Sequence, residues 1–294
     1  MMDVNFLIQN GVDIKKSLEL FGDMETYNDT VGDFLVAVND KVPKLKFYKE
    51  AKDMKNYAIY AHSMKSDARY FGFTKLSELA LNHEMKGKEG EIYYVYDHFD
   101  EFLNEIARME KVIKIYLGKE PMQDLPKVSE PEKVETLQVN EVPKEVAQVV
   151  SENTSTVNEP KGEVYDKQTI LVVDDSNIIR NFVSRIFKET YNVGVAKDGQ
   201  EAIDIIQSNK GNNQIKAILL DLNMPNVDGF AVLDYMKENG LFNEIPVSII
   251  SGDSSKETIN RAFTYTIVDM LGKPFNESDV KRVVEKTIYF KELG

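Results

Sequence analysis

Five polar residues in the C-terminal part of the chain come directly or shortly after a short apolar run, and we call them the acidic edge. They are Asp174, Asp175, Asp221, Ser251 and Lys273. Three carboxylates without a thiol or histidine beside them are hard oxygen ligands, which suit Mg²⁺ or Mn²⁺ and are poor for zinc. A cation there can hold a phosphoryl group, with the lysine and the serine hydroxyl on its other oxygens. Because the serine has no evident base beside it, a carboxylate is the expected nucleophile.

The elements that must position these residues are five predicted parallel strands joined by crossover helices. The apolar runs lie at 170–173, 193–196, 217–220, 247–250 and 267–271. Ligands of doubly wound α/β sheets bind beyond the carboxyl ends of the strands, so the acidic edge is expected to converge at one place. The alternative is that each acid only caps a helix at a strand-to-helix turn. Acids, a hydroxyl and a lysine at four strand ends favour a binding site.

A histidine in the N-terminal part is a second candidate centre. On a helix, His62, Lys65, Ser66 and Arg69 share one face, which the apolar pattern predicts to point outward. An unperturbed imidazole is largely neutral near pH 7 and can carry a phosphoryl group. Lys65 and Arg69 would offset the phosphoryl charge, and the small Ser66 would let a partner approach.

The other two histidines are weaker candidates. His83 has a lysine at the same spacing, but Gly87 and Gly90 follow it and are expected to end its helix within about a turn. His98 has Glu101 three residues on and is predicted to be a surface or partly packed residue. His62 is therefore the expected phosphoryl carrier.

Residues 1–119 are predicted to be helical throughout. They contain a single proline, and their last helix carries an apolar stripe from Ile92 to Leu117. Breaks are expected at Gly22, near Asp53, at Gly72 and from 87 to 90. One or two short helices followed by longer ones would close a core as an antiparallel four-helix bundle.

Residues 120–167 are predicted to be a flexible acidic linker. They hold five of the nine prolines, with 11 acidic and 5 basic residues, and their valines keep no sustained period. The expected organisation is therefore a helical domain at 1–119, a linker at 120–167 and an α/β domain at 168–294.

Composition excludes several classes of function. The chain has 294 residues, 42% of them hydrophobic, and no cysteine, so disulfides, thiolate zinc sites and cysteine nucleophiles are ruled out. A net charge of −13 opposes binding to nucleic acid. No apolar run of about 18 residues and no basic leader occurs, so we expect a cytoplasmic protein without membrane insertion. Neither a Gly-x-Gly pattern nor a P-loop occurs, so an ATP-dependent kinase is not expected.

Four motifs resemble those of the response-regulator receiver domain of two-component signalling. They read Ile-Leu-Val-Val-Asp-Asp-Ser at 170–176, Leu-Leu-Asp-Leu-Asn-Met-Pro-Asn-Val-Asp-Gly at 219–229, Ile-Ser-Gly-Asp at 250–253 and Gly-Lys-Pro-Phe at 272–275. The resemblance covers 168–294 with the spacing intact. It implies a flavodoxin-like receiver fold that catalyses its own phosphorylation and dephosphorylation.

The resemblance also implies roles for individual residues. Asp221 is the expected phospho-acceptor, Ser251 the hydroxyl switch and Lys273 the phosphate-binding cation. The implied magnesium site consists of Asp175, Asp221, the carbonyl of Asn223, and Asp174 acting through metal-bound water.

Two positions bear on how such a receiver would behave. Met270 stands where receivers usually carry an aromatic switch residue, and methionine lacks the ring geometry of that switch. Asn223 and Asp253 resemble the pair that positions attacking water in fast-dephosphorylating chemotaxis receivers. We therefore expect a short-lived phosphate on Asp221.

The stretch from His62 to Ser66, with Gly72 beyond it, resembles a histidine-containing phosphotransfer (HPt) domain, where Ser66 replaces the usual glycine. The competing resemblance is to the dimerisation domain of histidine kinases. That domain normally has an acid directly after the histidine, and Ser63 at this position disfavours it. The resemblance implies a phosphotransfer domain, with a sensor histidine kinase and other receiver or HPt proteins as partners.

The combined prediction is a phosphorelay protein that passes phosphoryl groups between histidine and aspartate. The 48-residue linker would permit transfer between His62 and Asp221, although the bundle could serve a different receiver. The alternative is a phosphorylation-dependent binding switch in which the bundle is an interaction module and His62 is not phosphorylated. A DNA-binding regulator is disfavoured by the charge and by the 19 residues after Phe275, which suffice for one helix.

Overall fold

The computed structural model of the chain describes residues 3–121, 168–209, 214–253 and 255–292. The predicted linker therefore lies almost wholly outside the described residues. Met1–Pro126 and Lys167–Gly294 belong to one compact unit, so contacts between the helical part and the α/β part are part of the fold. Among the described residues, no helix combines the length and the apolarity needed to cross a membrane.

The N-terminal part is all helical, as predicted. Three short helices precede four long ones: α1 (Val4–Gln9), α2 (Ile14–Phe21), α3 (Met24–Val31), α4 (Asp33–Glu50), α5 (Met54–Tyr70), α6 (Thr74–Lys88) and α7 (Ile92–Tyr116). Asp13, Asp23 and Asp53 begin their helices by accepting a hydrogen bond from a backbone N–H of the first turn. The predicted breaks fall at the observed helix ends, and α6 continues past His83 to Lys88.

The C-terminal part is a five-stranded parallel sheet with helices on both faces. Its elements are β1 (Thr169–Val173), α8 (Asn177–Phe187), β2 (Asn192–Ala196), α9 (Gly199–Ser208), β3 (Ile215–Asp221), α10 (Gly229–Glu238), β4 (Val247–Ser251), α11 (Lys256–Ala262), β5 (Met270–Gly272) and α12 (Glu277–Glu292). The strand order is β2-β1-β3-β4-β5. This confirms the predicted doubly wound fold, although β5 begins at Met270, within its predicted apolar run, and Ile267 packs against the core ahead of the strand.

The register of the strands brings the acidic edge together. Asp221 pairs with Ile250 across β3 and β4, and Ser251 pairs with Gly272 across β4 and β5. Because the strands are parallel, their carboxyl ends meet at one edge of the sheet. The predicted convergence of the five polar residues follows from this register.

One apolar core is shared by the helical part and one face of the sheet. Phe21 of α2 meets Phe182 of α8 edge to face at 5.5 Å between ring centroids, and Tyr70 of α5 meets Phe275 at 5.9 Å. Such aromatic contacts add to the stabilisation that burial itself provides. A second core lies on the opposite face of the sheet, under α9 and α10.

The prediction that the His62 face of α5 points outward to solvent is wrong. His62 is 2% exposed, Lys65 4% and Ser66 5%, and only Arg69 is half-buried. The helical pattern separated this face correctly from the apolar face of α5. It could not show that the carboxyl edge of the sheet covers it.

Candidate functional site

The three carboxylates of the acidic edge form one cluster. Asp174, Asp175 and Asp221 each offer an oxygen within 4.8 Å of the others. Lys273 Nζ lies 2.7 Å from Asp174 Oδ2 and 2.6 Å from Asp221 Oδ2. The backbone N–H of Asn223 donates to Asp221 Oδ1 at 3.2 Å, which fixes that carboxylate at the end of β3. The three predicted metal carboxylates therefore lie in one cluster, and the predicted role of the Asn223 carbonyl stays a prediction.

The cluster contains more negative than positive side chains. Burial raises the pKa of Asp174 to about 7; Lys273 opposes this shift, and the negative charges of Asp221 and Asp175 add to it. Burial alone would lower the pKa of Lys273, but Asp174 and Asp221 raise it well above its ordinary value. One lysine thus faces three acids.

This donor set fits a magnesium ion. Carboxylate oxygens are the ligands that Mg²⁺ prefers, and three of them within reach of one another can share one ion. A divalent charge would offset the carboxylates that Lys273 leaves unbalanced. No histidine or thiol is needed, in line with the predicted preference for Mg²⁺ or Mn²⁺ over zinc.

The hydroxyl of Ser251 lies at the end of β4 and accepts a hydrogen bond from the N–H of Asp253 at 3.1 Å. The Asp253 carboxylate accepts from the N–H of Ser255 at 2.8 Å and from the hydroxyl of Thr258 at 2.9 Å, so it holds the start of α11. Asn223 Nδ2 is buried and finds no partner within the described part of the chain. The expected short life of an Asp221 phosphate stays a prediction. Of the two residues expected to position attacking water, Asn223 is better placed, because the Asp253 carboxylate already accepts two hydrogen bonds.

His62 is held by a carboxylate that the sequence did not reveal. Its Nδ1 lies 2.8 Å from Oε1 of Glu84 on α6, and Glu84 Oε2 accepts from Lys65 Nζ at 2.6 Å. Lys88 Nζ also binds Glu84, at 2.7 Å. Lys65 Nζ lies 3.2 Å from the same Nδ1, but the shorter contact is with the Glu84 carboxylate, which only accepts. We therefore assign the ring proton to Nδ1, which leaves the lone pair on Nε2.

The charges around His62 support this assignment. Burial would raise the pKa of Glu84, but its hydrogen bond with His62 and the charge of Lys65 hold that pKa well below its ordinary value. Burial lowers the pKa of Lys65, and Glu84 opposes the shift. Glu84 is therefore ionised and accepts hydrogen bonds from His62 and from both lysines.

The free nitrogen of His62 lies against the end of β4. A Cβ placed on Gly252 would be 2.9 Å from His62 Nε2 and 3.5 Å from Ser66 Oγ. His62 Nε2 is buried and has no hydrogen-bond partner within the residues that the structure describes. The fold thus brings the predicted histidine of one part to the residue next to Ser251 in the other.

Two further polar pairs join the parts near this contact, and with the His62–Gly252 contact we call them the docking interface. Ser63 Oγ donates to Asp175 Oδ2 at 2.5 Å, and Ser176 Oγ donates to Asp67 Oδ1 at 2.7 Å. Asp67 is 1% exposed and forms an ion pair with the equally buried Lys41. Burial raises the pKa of Asp67, although Lys41 and Ser176 oppose the shift.

The remaining predicted residues lie at the margin of this site. Arg69 lines a cavity of about 490 Å³ together with Pro274. Met270 is half-buried in β5. Arg69 is thus not in the immediate group around His62, in contrast to Lys65.

The other histidines are placed differently. His83 is fully buried inside the helical part, where its ring stacks on Phe102 and its Nδ1 bonds the Tyr57 hydroxyl at 2.7 Å. Burial lowers the pKa of His83 to about 4. His98 is half-buried, with Nδ1 3.0 Å from the Tyr94 carbonyl. Unlike His62, neither has a described contact with the α/β part.

Comparison with known proteins finds relatives of the α/β part. The family model of the response regulator receiver domain matches residues 170–285. The chain is 32% identical over 137 residues to the two-component response regulator ORR3 of Oryza sativa subsp. indica, which covers 46% of this chain and 98% of the relative. It is 30% identical over 137 residues to the two-component response regulator ARR6 of Arabidopsis thaliana, covering 44% and 74%. Among solved structures, chemotaxis protein CheY4 of Vibrio cholerae matches with 26% identity and a TM-score of 0.38, over 41% of this chain and 98% of that one.

Proposed function

This chain belongs to the response-regulator family through its receiver domain at residues 170–285, and from that premise we propose that it shuttles a phosphoryl group between His62 and Asp221. In this proposal 1–119 is the phosphotransfer domain, 120–167 the linker and 168–294 the receiver. Receiver domains interact with histidine kinases and phosphotransfer proteins and are not ATP-dependent kinases. The chain would act as an intermediate in a phosphorelay.

One observation carries the proposal. The Nε2 atom of His62, which bears the lone pair, is buried against Gly252 and has no hydrogen-bond partner within the described chain. Gly252 follows Ser251 at the edge where Asp221 ends β3. A nucleophilic nitrogen without a partner, at the sheet edge where the phospho-acceptor strand ends, supports transfer between the two.

The transfer would be an in-line displacement at phosphorus. In the direction of histidine, the Nε2 lone pair of His62 forms the N–P bond while the O–P bond to Asp221 breaks and its electron pair returns to the carboxylate. The proton on Nδ1 stays in place, and the positive charge that the ring gains is offset by Glu84. In the reverse direction, the Asp221 oxygen attacks and the imidazole leaves as the neutral ring.

The residues of the acidic edge would position the group and offset its charge. Lys273, which contacts Asp221 at 2.6 Å, would bind a phosphoryl oxygen, and the Ser251 hydroxyl would donate to another. Receiver domains bind Mg²⁺ at their acidic phosphorylation site, and here Asp174, Asp175, Asp221 and the Asn223 carbonyl would hold it. The ion would offset the negative charge of the phosphoryl oxygens.

The proposal is tested by labelling the full chain with phosphoramidate, a small donor to histidine and aspartate, in the presence of Mg²⁺. While the donor is present, we expect wild type to carry both a base-labile phosphate on Asp221 and an acid-labile one on His62. Asp221→Ala should lose the first and His62→Gln the second. The matched control is His83→Gln, which removes the other histidine of the same spacing and should change neither label. Unchanged acid-labile phosphate in His62→Gln contradicts the proposal.

The alternative, a binding switch, is favoured by one observation of its own. The docking interface reaches the acidic edge through Ser63 and Asp175. Phosphorylation of Asp221 would alter that edge and could release the helical part without any phosphohistidine. In that case Asp221 is labelled and His62 is not.

A further inference from the structure

We infer that the helical part is the resident partner of its own receiver: the α5 face occupies the receiver edge that another phosphotransfer protein would use, so outside proteins reach Asp221 or His62 only after the docking interface opens. This goes beyond the proposed function, because the closed state is set by the docking contacts and holds whether or not a phosphoryl group moves.

The burial of the His62 face of α5 favours a closed chain. A helix face of histidine, lysine and serine is normally solvated, because burying polar groups without partners is costly. Here His62, Lys65 and Ser66 are 5% exposed or less. The receiver supplies the cover, with Gly252 against His62 and Ser66.

Polar groups of the helical part and of the receiver form hydrogen bonds with each other at the docking interface. Asp67 is 1% exposed, and its two oxygens are taken by Lys41 from the helical part and by Ser176 from the receiver. Ser63 donates to Asp175, a carboxylate of the predicted metal site. A receiver or kinase domain from another protein would have to replace these same contacts.

The space above Gly252 also favours a closed chain. Gly252 leaves room for the His62 ring, since even a methyl group there would come within 2.9 Å of Nε2 and 3.1 Å of Cε1. Gly272, on the neighbouring strand of the same edge, has nothing within 4 Å of an added Cβ. The lack of a side chain at 252 therefore serves the docked helix, and Gly272 offers a matched control.

A shared apolar contact anchors the closed state beside the polar one. The hydroxyl of Tyr70, on α5, accepts a hydrogen bond from the N–H of Phe275 at 3.2 Å, and the two rings meet edge to face. Tyr70 is 1% exposed, as is Phe275. Opening would expose both rings to water, so closure is favoured by apolar burial.

The cleft beside the docking interface reaches Asp175 but stops short of His62 and Asp221. A cleft of about 710 Å³ lies between the two parts, bordered by Tyr60 and Asp40 on one side and by Asp175 and Asn226 on the other. Neither His62 nor Asp221 lines this cleft, and both side chains are buried. Closure is therefore expected to slow both protein partners and small reagents at His62.

The test measures whether His62 is covered, without any phosphoryl chemistry. The full chain without phosphodonor is treated with diethyl pyrocarbonate, which modifies accessible imidazole nitrogens, and the rate at each histidine is read by peptide mass spectrometry. The opening variants are Gly252→Ala and Ser63→Asp, the second of which sets a carboxylate against Asp175. The control is Gly272→Ala. Circular dichroism checks that each variant is folded.

We expect His62 of wild type and of Gly272→Ala to react slowly, and His62 of both opening variants to react about tenfold faster or more, because local opening sets the rate. The rate at His98 should stay the same in all four chains. Equal His62 rates in wild type and both opening variants overturn the inference. A protected His62 that takes no phosphate refutes the proposed function alone, whereas an equally reactive His62 that does take phosphate refutes closure alone.

Discussion

The imidazole of His62 lies with its free nitrogen against the backbone of Gly252, although the two residues are 190 positions apart in the chain. The contact joins a helix of the N-terminal part to the strand end beside Ser251. It places the candidate phosphoryl carrier at the acidic edge.

Glu84 is expected to position His62 by fixing its tautomer. Glu84→Ala should lower the rate of His62 phosphorylation about tenfold and Glu84→Gln less, because the glutamine carbonyl still accepts a hydrogen bond from Nδ1–H but lacks the charge. ¹⁵N NMR of the His62 ring shows which nitrogen carries the proton. It therefore distinguishes a loss of the fixed tautomer from a general disturbance of the structure. Wild type should show the proton on Nδ1, and Glu84→Ala a mixture of tautomers. A ring with its proton on Nε2 in wild type would contradict the assignment.

Lys273 is expected to restrain metal binding. Lys273→Ala removes the only cation that contacts both Asp174 and Asp221 in the described structure, so Mg²⁺ should bind several-fold more tightly to the variant. Isothermal titration calorimetry measures the affinity. The conservative control is Lys273→Arg, which keeps the charge and should stay close to wild type. Weaker binding to Lys273→Ala would show that the lysine organises the carboxylates more than it competes with the ion.

The ion pair of Lys41 and Asp67 is expected to matter for stability. Lys41→Met leaves Asp67 buried without its cation, which should lower the free energy of unfolding by about 3 to 5 kcal/mol. The double variant Lys41→Met with Asp67→Leu removes both charges and should recover most of that loss. Urea unfolding of the two variants and wild type measures the difference. An unchanged stability of Lys41→Met would mean that water reaches Asp67.

His83 makes stability depend on pH. Burial lowers its pKa to about 4 from 6.5, so the unfolded chain binds a proton between these values that the folded chain does not. The free energy of unfolding therefore falls as the pH drops below the unfolded value, by about 2 kcal/mol between about pH 7.5 and pH 5. His83→Gln should lose this part of the pH dependence in urea unfolding. If the free energy of unfolding changes equally with pH in wild type and in His83→Gln, other groups cause the dependence.

The sequence predicted most of the receiver, because strand ends and helix starts follow local patterns of apolar and turn-forming residues. Asp174, Asp221 and Lys273 were placed together correctly because parallel strands end at one edge. The partners of His62 could not be found in this way. Glu84 lies on a different helix, and nothing in the spacing along one helix indicates which residue of the next will face it.

The exposure of the His62 face was mispredicted for a related physical reason. The period of α5 divides its apolar face from its polar face, and a polar face is solvated unless another surface complements it. Here Asp67 meets Ser176 and Ser63 meets Asp175, so hydrogen bonds rather than apolar contacts mark the covered face. Serine and aspartate carry no periodic signal for such a cover.

The most direct test of phosphoryl transfer within one chain follows phosphohistidine as a function of protein concentration. Wild type and Asp221→Ala are labelled on His62 with phosphoramidate, the donor is removed, and Mg²⁺ is added. We predict that wild type loses phosphohistidine quickly, at a rate constant that does not change over about a hundredfold range of concentration, and that Asp221→Ala keeps it. Equal decay of the two chains, or a wild-type rate proportional to concentration, would contradict transfer from His62 to the Asp221 of the same chain.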